Sequence, residues 1–185
     1  MNDKTRKSRL GFAVIKLLID GDSYFVMRKN LTWRDVSFVG GHEEPRDAGS
    51  LIRVARRELS EEVPALRTFK SLELVPLIEN VTRGPIYSES AGCTVEYTIS
   101  FFLLRLRSDP GSMLKSLGGR SLNVLVREKD LLAHDKYKVS ALVYQLDSVF
   151  PDGLKAIPYS WEDDLGESVR NGGSSILDQQ ELALR

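Results

Sequence analysis

A mixed β-sheet covered by helices on both sides, an α/β (α+β) sandwich, is the fold class this 185-residue sequence predicts. Three observations carry it. An apolar run with a tight turn, residues 11–28, reads as a strand hairpin. A single long amphipathic helix follows a glycine pair at residues 40 and 41. Further strands and a second helix come after it, joined by connections too short for a regular parallel βαβ array.

Taken in order, residues 11–19 are mostly apolar and bounded by Asp20-Gly21-Asp22, so they read as a largely buried strand. Residues 23–28 (SYFVMR) are its partner. The basic start, residues 2–9, superficially resembles a signal peptide, but Lys16 interrupts the apolar run and no small-residue cleavage site follows. Residues 1–10 read as an arm. Trp33, in the connection that follows, reads as a packing residue more readily than as a ligand platform. Residues 36–39 (VSFV) form a short strand that runs into Gly40-Gly41, where glycine permits close backbone approach.

The helix is expected to begin with Asp47 as its N-cap. Ala48, Leu51, Ile52, Ala55, Leu59 and Val63 recur every three or four residues and define its buried face, and Pro64 stops it. Residues 72–78 suggest an edge or bulged strand because of Pro76. Residues 81–92 (VTRGPIYSESAG) are rich in turn formers and read as a long exposed loop. Residues 94–106 alternate: Val95, Tyr97, Ile99, Phe101 and Leu103 on one face, Thr94, Glu96, Thr98 and Ser100 on the other. Residues 122–126 give a further strand and residues 137–149 a second helix, ended by Pro151-Asp152-Gly153. A domain spanning 11–153 is therefore expected, with a polar, partly disordered extension at 154–185 in which Trp161 could dock back.

Composition is ordinary: 42% hydrophobic and 28% charged, with Lys+Arg and Asp+Glu both 26. That balance argues against a general nucleic-acid or membrane-surface binder. No apolar stretch reaches the length of about 18 residues needed for a membrane span. Cys93 is the single cysteine, so no intramolecular disulfide can form, which suits the cytoplasm. It reads as a small loop residue rather than a catalytic thiol.

The chemistry-bearing stretch is Arg57-Glu58-Leu59-Ser60-Glu61-Glu62. On a helix, Glu58 lies i,i+3 from Glu61 and i,i+4 from Glu62, so the three carboxylates crowd one face. Like-charge pairs at this spacing cost about 0.2–0.5 kcal/mol each, and a helix C-terminus disfavours negative charge. A hard divalent cation with oxygen ligands gives a reason for the cluster. The plain alternative is a solvated helix on which Arg53, Arg56 and Arg57 compensate the glutamates.

With the glycine turn in place, the stretch resembles the signature of the Nudix hydrolases: a glycine, after five residues a Glu, then after seven Arg-Glu-aliphatic-x-Glu-Glu-x-Gly-aliphatic. Gly41 begins it, and Asp47 stands for the first Glu. Nine residues rather than seven separate Asp47 from Arg57, and Pro64 stands where the family has Gly. The excess falls around Ala48-Gly49-Ser50, at the loop-to-helix junction.

The resemblance implies an Mg²⁺-dependent (or Mn²⁺-dependent) hydrolase of the pyrophosphate linkage in a nucleoside diphosphate joined to another group. Glu58, Glu61 and Glu62 would hold the metal, and Arg57 would orient them. Gly41 would shape the pocket. Glu58 is the first candidate for general base, with Glu89, Glu96 and Asp109 as others. His42 could touch phosphate, and Arg83 and Tyr87 could hold phosphate and stack on a base, though all three also read as ordinary loop residues. The implied partner is a small-molecule nucleotide, with no extended nucleic-acid site and no membrane; a homodimer is a further candidate. A non-catalytic nucleotide-binding or protein-interaction module on the same fold is the alternative.

Overall fold

The computed structural model describes residues 5–68, 72–89, 91–107, 110–111, 114, 122–133 and 138–166. Its strands are β1 (Arg6–Val14), β2 (Lys16–Ile19), β3 (Asp22–Asn30), β4 (Asp35–Ser37), β5 (Val39–His42), β6 (Leu72–Ser88), β7 (Cys93–Leu106) and β8 (Asn123–Arg127). Its helices are α1 (Leu51–Glu62), α2 (Glu128–Leu132) and α3 (Ala141–Val149). One sheet has the order β5-β1-β7-β6, with β1 parallel to β7 and the other pairs antiparallel. In the second sheet, β3 joins β2, β4 and β8, all antiparallel. The mixed pairing agrees with the α+β class.

Alternation explains the layers. Successive side chains of a strand point to opposite faces, and here both faces are buried. Ala13, Tyr24, Val26, Phe102, Leu104 and Leu125 join Leu51, Val54, Ala55 and Leu59 of α1 in one core. Phe12, Val14, Phe25, Met27, Phe101 and Val126 join Leu131 of α2 with Val143 and Leu146 of α3 in the other. The sheets thus lie between helical layers, as a sandwich requires. Gly11 lets α1 lie close on β1: a Cβ there would stand 2.3 Å from the Leu51 carbonyl oxygen.

Several expectations need correction. The run 11–19 is not one strand: β1 begins at Arg6, inside the expected arm, and the chain changes sheets at Ile15. The face of β7 expected to be polar becomes apolar beyond Ser100, where Phe102, Leu104 and Leu106 enter the core with α1. The loop expected at 81–92 is mostly strand. β6 runs through it to Ser88 and pairs with β7 down to Cys93, passing its turn-forming residues through three register shifts. Turn-rich composition was accommodated by bulges rather than by leaving the sheet.

The second helix starts at Ala141, with the Ser140 hydroxyl accepting from the Leu142 amide, because Val139 bridges to Val36. From residue 154 to residue 166 the chain remains packed: Leu154, Ile157 and Leu165 are buried, and Trp161 rests against the α1-side core. The buried Lys16 fastens this segment. Its Nζ donates to the carbonyls of Leu154 (3.0 Å) and Lys155 (2.9 Å) and pairs with Glu128 (2.8 Å). The flexible stretch expected at 168–175 lies outside the described residues. Among the described residues no helix is long and apolar enough to cross a membrane.

Candidate functional site

Gly40 and Gly41, expected to form a turn, lie instead within strand β5, paired with Phe12 and Gly11 of β1, and the carboxylate end of α1 meets them there. Glu58 lies so close to Gly41 that a Cβ at that position would fall 2.3 Å from its Oε1. Only glycine leaves that space. The amide of Gly40 hydrogen-bonds the Glu62 carboxylate, and Arg28 Nε of β3 pairs with Glu62 Oε1 at 2.6 Å. Among the described residues Glu62 Oε2 is buried with no hydrogen-bond partner. Asn123 of β8 closes the helix end, its Nδ2 donating to the Glu62 carbonyl at 2.6 Å, which satisfies one of the carbonyls a helix terminus leaves open.

Arg57 is the hub. Its Nε and Nη2 donate to the two Asp47 carboxylate oxygens, each at 3.2 Å, the forked geometry a guanidinium favours. Nη2 also donates to the His42 carbonyl at 2.8 Å, and Nη1 donates to Glu58 Oε1 at 2.7 Å and Glu61 Oε2 at 3.4 Å. Asp47 is 3% exposed and the Arg57 side chain 10%. Burial works to raise the Asp47 pKa, but the Arg57 hydrogen bonds and the Glu44 amide outweigh it, and the carboxyl sits below its usual range. Burial likewise opposes the Arg57 charge, and its bonds to Asp47 and Glu58 overcome it, so its pKa is raised.

Asp47 therefore does not cap α1. It ends a 3-10 turn (Pro45–Asp47), where its Oδ2 accepts from the Glu44 amide at 2.8 Å. Ala48 and Gly49 then take left-handed conformations, with φ of 49° and 79°, and Ser50 occupies the N-cap position. Ala48 is exposed and outside the helix. The two residues in excess of the signature spacing are thus spent on a left-handed turn that delivers Asp47 to Arg57.

The three glutamates differ. Burial pushes the Glu58 pKa up, against Arg57. Burial pushes Glu62 up to about 7, Arg28 opposing and the Glu58 charge adding to the rise. Both environments disfavour negative charge, which a bound cation would relieve. Glu61 is the most exposed of the three and is engaged by Arg46 Nη2 (3.0 Å) and by Arg57. Among the described residues no three His, Cys, Asp or Glu side chains converge into a ready-made metal cage. A divalent cation fits the hard-oxygen donors of Glu58 and Glu62, and the unpartnered Glu62 Oε2 is the observation that favours it.

Beside β5 lies a cleft of about 590 Å³, lined by Gly40, Gly41, His42, Arg83, Tyr87 and Trp33 among others. Gly41, His42, Arg83 and Tyr87, the four residues whose sequence pattern points to substrate, all line this cleft. A smaller hollow that includes Glu62 shares Asn30, Ser37 and Gly40 with the cleft, so the carboxylates and the cleft adjoin. His42 Nδ1 is 2.8 Å from Ser8 Oγ, and burial, with Arg6 nearby, lowers its pKa. Glu89 lines the cleft; Glu96 lies on β7, and Asp109 is outside the described residues. Trp33 corrects its reading as a packing residue: it is 45% exposed and faces the cleft lining rather than the core. Asp35 and Tyr97, also in the lining, carried no motif, since they reach it through strand pairing distant in sequence.

No family model matches the sequence, and no curated protein matches it. Solved structures do match in fold. A Nudix hydrolase from Nitrosomonas europaea is 17% identical, covering 83% of this chain and 97% of that one at a TM-score of 0.48. The NrtR protein of Shewanella oneidensis is 15% identical at a TM-score of 0.49, covering 68% of this chain. This chain spans only 54% of the length of that protein. The Ap4A hydrolase of C. elegans is 19% identical, covers 54% of this chain and 67% of its own, and has a TM-score of 0.38. These are likenesses of fold.

Proposed function

We propose that this chain is a divalent-metal-dependent hydrolase of the pyrophosphate linkage in a nucleoside diphosphate joined to another group. The observation that carries the reading is the pairing of Glu58 and Glu62 against Gly40 and Gly41 of β5, with a buried carboxylate oxygen that has no partner among the described residues, beside a nucleotide-sized cleft. Mg²⁺ or Mn²⁺ would be held by Glu58 and Glu62, with Glu61 available if it leaves Arg46. When bound, the ion supplies Lewis acidity at the diphosphate and a water of lowered pKa.

The chain's own residues supply the rest. Arg57 orients Glu58 while Asp47 anchors Arg57. Arg83 gives the diphosphate a cation in the cleft, and Tyr87 gives the base a stacking face. Ser8 occupies His42 Nδ1, leaving Nε2 for phosphate. Glu58 is the first choice for general base, and Glu89 is the alternative that shares the cleft.

Purified protein incubated with Mg²⁺ and a panel of nucleoside diphosphate derivatives tests the reading. Turnover of at least one, reduced roughly a hundredfold or more in Glu58→Gln and Glu62→Gln, is expected. No turnover, or undiminished turnover in both variants, refutes it. One observation favours a second reading, a non-catalytic binding module: Glu61 is tied to two arginines and no three-acid cage is preformed among the described residues. Nucleotide binding that raises the melting temperature equally with and without Mg²⁺, in the absence of turnover, would select it.

A further inference from the structure

The cleft joins two walls of different origin. One is the turn between β3 and β4, which carries Trp33, with Asp35 at the start of β4; the other is the edge strand β6, which carries Arg83 and Tyr87. Trp33 and Tyr87 are the exposed aromatic side chains among the described residues, Tyr87 at 68%. Large aromatic surface left in water beside a cleft invites a flat apolar partner. Trp33 is also held in place. Asn30 Oδ1 accepts from the amides of Thr32 and Trp33, at 3.0 and 3.1 Å, and Lys138 Nζ donates to the Trp33 carbonyl at 3.0 Å. This pinning serves a residue that contributes little to the core, which suits a preorganised stacking platform.

Asp35 stands two residues on, half-buried in the same lining. Among the described residues no cation lies within ion-pair distance of its carboxylate. Lys138 is the cation whose charge it feels, and that ammonium is engaged by Trp33. Burial pushes the Asp35 carboxyl up in pKa, with Lys138 and a hydrogen bond from its own backbone amide opposing. A partly desolvated carboxylate whose one donor among the described residues is its own backbone amide keeps acceptor capacity for a ligand that brings N–H groups.

A carboxylate accepts best from two parallel donors. The Watson–Crick edge of guanine presents two adjacent donors, the ring N1–H and the exocyclic amino group. Adenine and cytosine each set one amino donor beside a ring acceptor, and uracil sets a single N–H between two carbonyls. We propose that the cleft binds a guanine nucleotide, its base stacked on Trp33 and its N1–H and amino group donating to the Asp35 carboxylate. The inference rests on the reading of this cleft as the nucleotide site and names the class of base.

The test is binding without metal or turnover. The full chain is titrated with guanosine, adenosine, cytidine and uridine 5′-monophosphates, reading tryptophan fluorescence; Trp161, the other tryptophan, lines a separate hollow. Guanosine monophosphate is expected to quench the emission and to bind on the order of tenfold or more tightly than the others. Trp33→Phe should remove most of the quench, and Asp35→Asn should reduce the preference to about twofold with the melting temperature kept. If Asp35→Asn unfolds, Asp35→Glu must shift the preference in a folded chain. Equal affinity for the four nucleotides, or quenching that survives Trp33→Phe, overturns the proposal. Hydrolysis without guanine preference would sink this inference and leave the proposed activity standing. Guanine-selective binding without hydrolysis would do the reverse.

Discussion

Gly41→Ala separates the site from the fold. The added Cβ would meet Glu58 Oε1 at 2.3 Å, Cδ at 2.8 Å and Oε2 at 3.3 Å. All three atoms are at the end of a flexible side chain, and Gly41 does not use the left-handed backbone that would strain an alanine. The side chain can swing out, giving up its 2.7 Å bond from Arg57 Nη1. That loss, about 1.5–3 kcal/mol for a charged bond, is offset by relief of a carboxylate whose charge burial disfavours. Lower unfolded-state entropy adds about 0.4–1 kcal/mol of stabilisation. The net change should stay within about 1 kcal/mol, or about 2–4 °C in melting temperature for a chain of this size. Gly40→Ala is the contrast. Its Cβ would meet the Gly11 carbonyl oxygen at 2.4 Å and Phe12 Cα at 2.8 Å, backbone that cannot swing away, so β1 and β5 must separate. Overpacking of this kind costs about 1–3 kcal/mol or more.

Calorimetric melts paired with Mn²⁺ titrations distinguish the two. Gly41→Ala should melt near the parent and bind Mn²⁺ at least on the order of tenfold more weakly, whereas Gly40→Ala should lose stability first. Parental metal affinity in a folded Gly41→Ala chain would remove Glu58 from the ligand set.

Two further predictions concern charge. Glu62 has a folded pKa of about 7 against an ordinary value of 4.5, so the folded state holds its proton more tightly than the unfolded chain. The associated stability is fully present below 4.5 and is lost as pH rises through 7. Glu62→Gln should therefore be more stable than the parent at pH 8 by on the order of 2 kcal/mol, the gap closing toward pH 5 in denaturant melts, and Mn²⁺ affinity of the parent should fall as pH drops below 7. Arg57→Ala leaves Asp47 buried without its forked partner and should cost about 3–5 kcal/mol. Adding Asp47→Ala should restore part of that, and a double-mutant cycle with no coupling would contradict the anchor.

Legibility followed the range of the physical signal. The period of α1, the alternation of β7 through Phe101 and Leu103, and the Glu58–Glu62 spacing are local and could be read directly. Where a segment's fate depends on a distant partner, local chemistry misled. Residues 81–88 look like a loop, yet β7 offers them a ladder that bulges can follow. Asp47 looks like an N-cap, yet Arg57, ten residues on, takes its carboxylate. Residues 154–166 look like a polar tail because Leu154, Ile157 and Leu165 are spaced by turns rather than by a helical or strand period, and the lysine that fastens them lies in β2. Trp33 and Asp35 belong to the cleft only because β3 and β4 fold back beside α3.

The turn at Ala48-Gly49 is the step that makes the longer linker compatible with the anchor, and its energetics can be reversed by substitution. Ala48 holds φ at 49°, a conformation that costs an L-residue about 1–2 kcal/mol. It is exposed, so its methyl group gains little by burial. Ala48→Gly removes the strain and adds unfolded-state entropy worth about 0.4–1 kcal/mol, leaving a stabilisation of up to about 1 kcal/mol. Gly49 holds φ at 79° with open space around its missing Cβ, the nearest atom being Arg9 Nη1 at 3.8 Å. Gly49→Ala must therefore lose stability through backbone strain alone, by about 1 kcal/mol after the entropy gain. A substitution to glycine that stabilises, next to a substitution from glycine that destabilises, is the opposite of what a helix extending back to Asp47 would give, since a helix interior favours alanine by about 1 kcal/mol at both positions. Denaturant melts of the two variants thus decide whether Asp47 caps the helix or anchors Arg57.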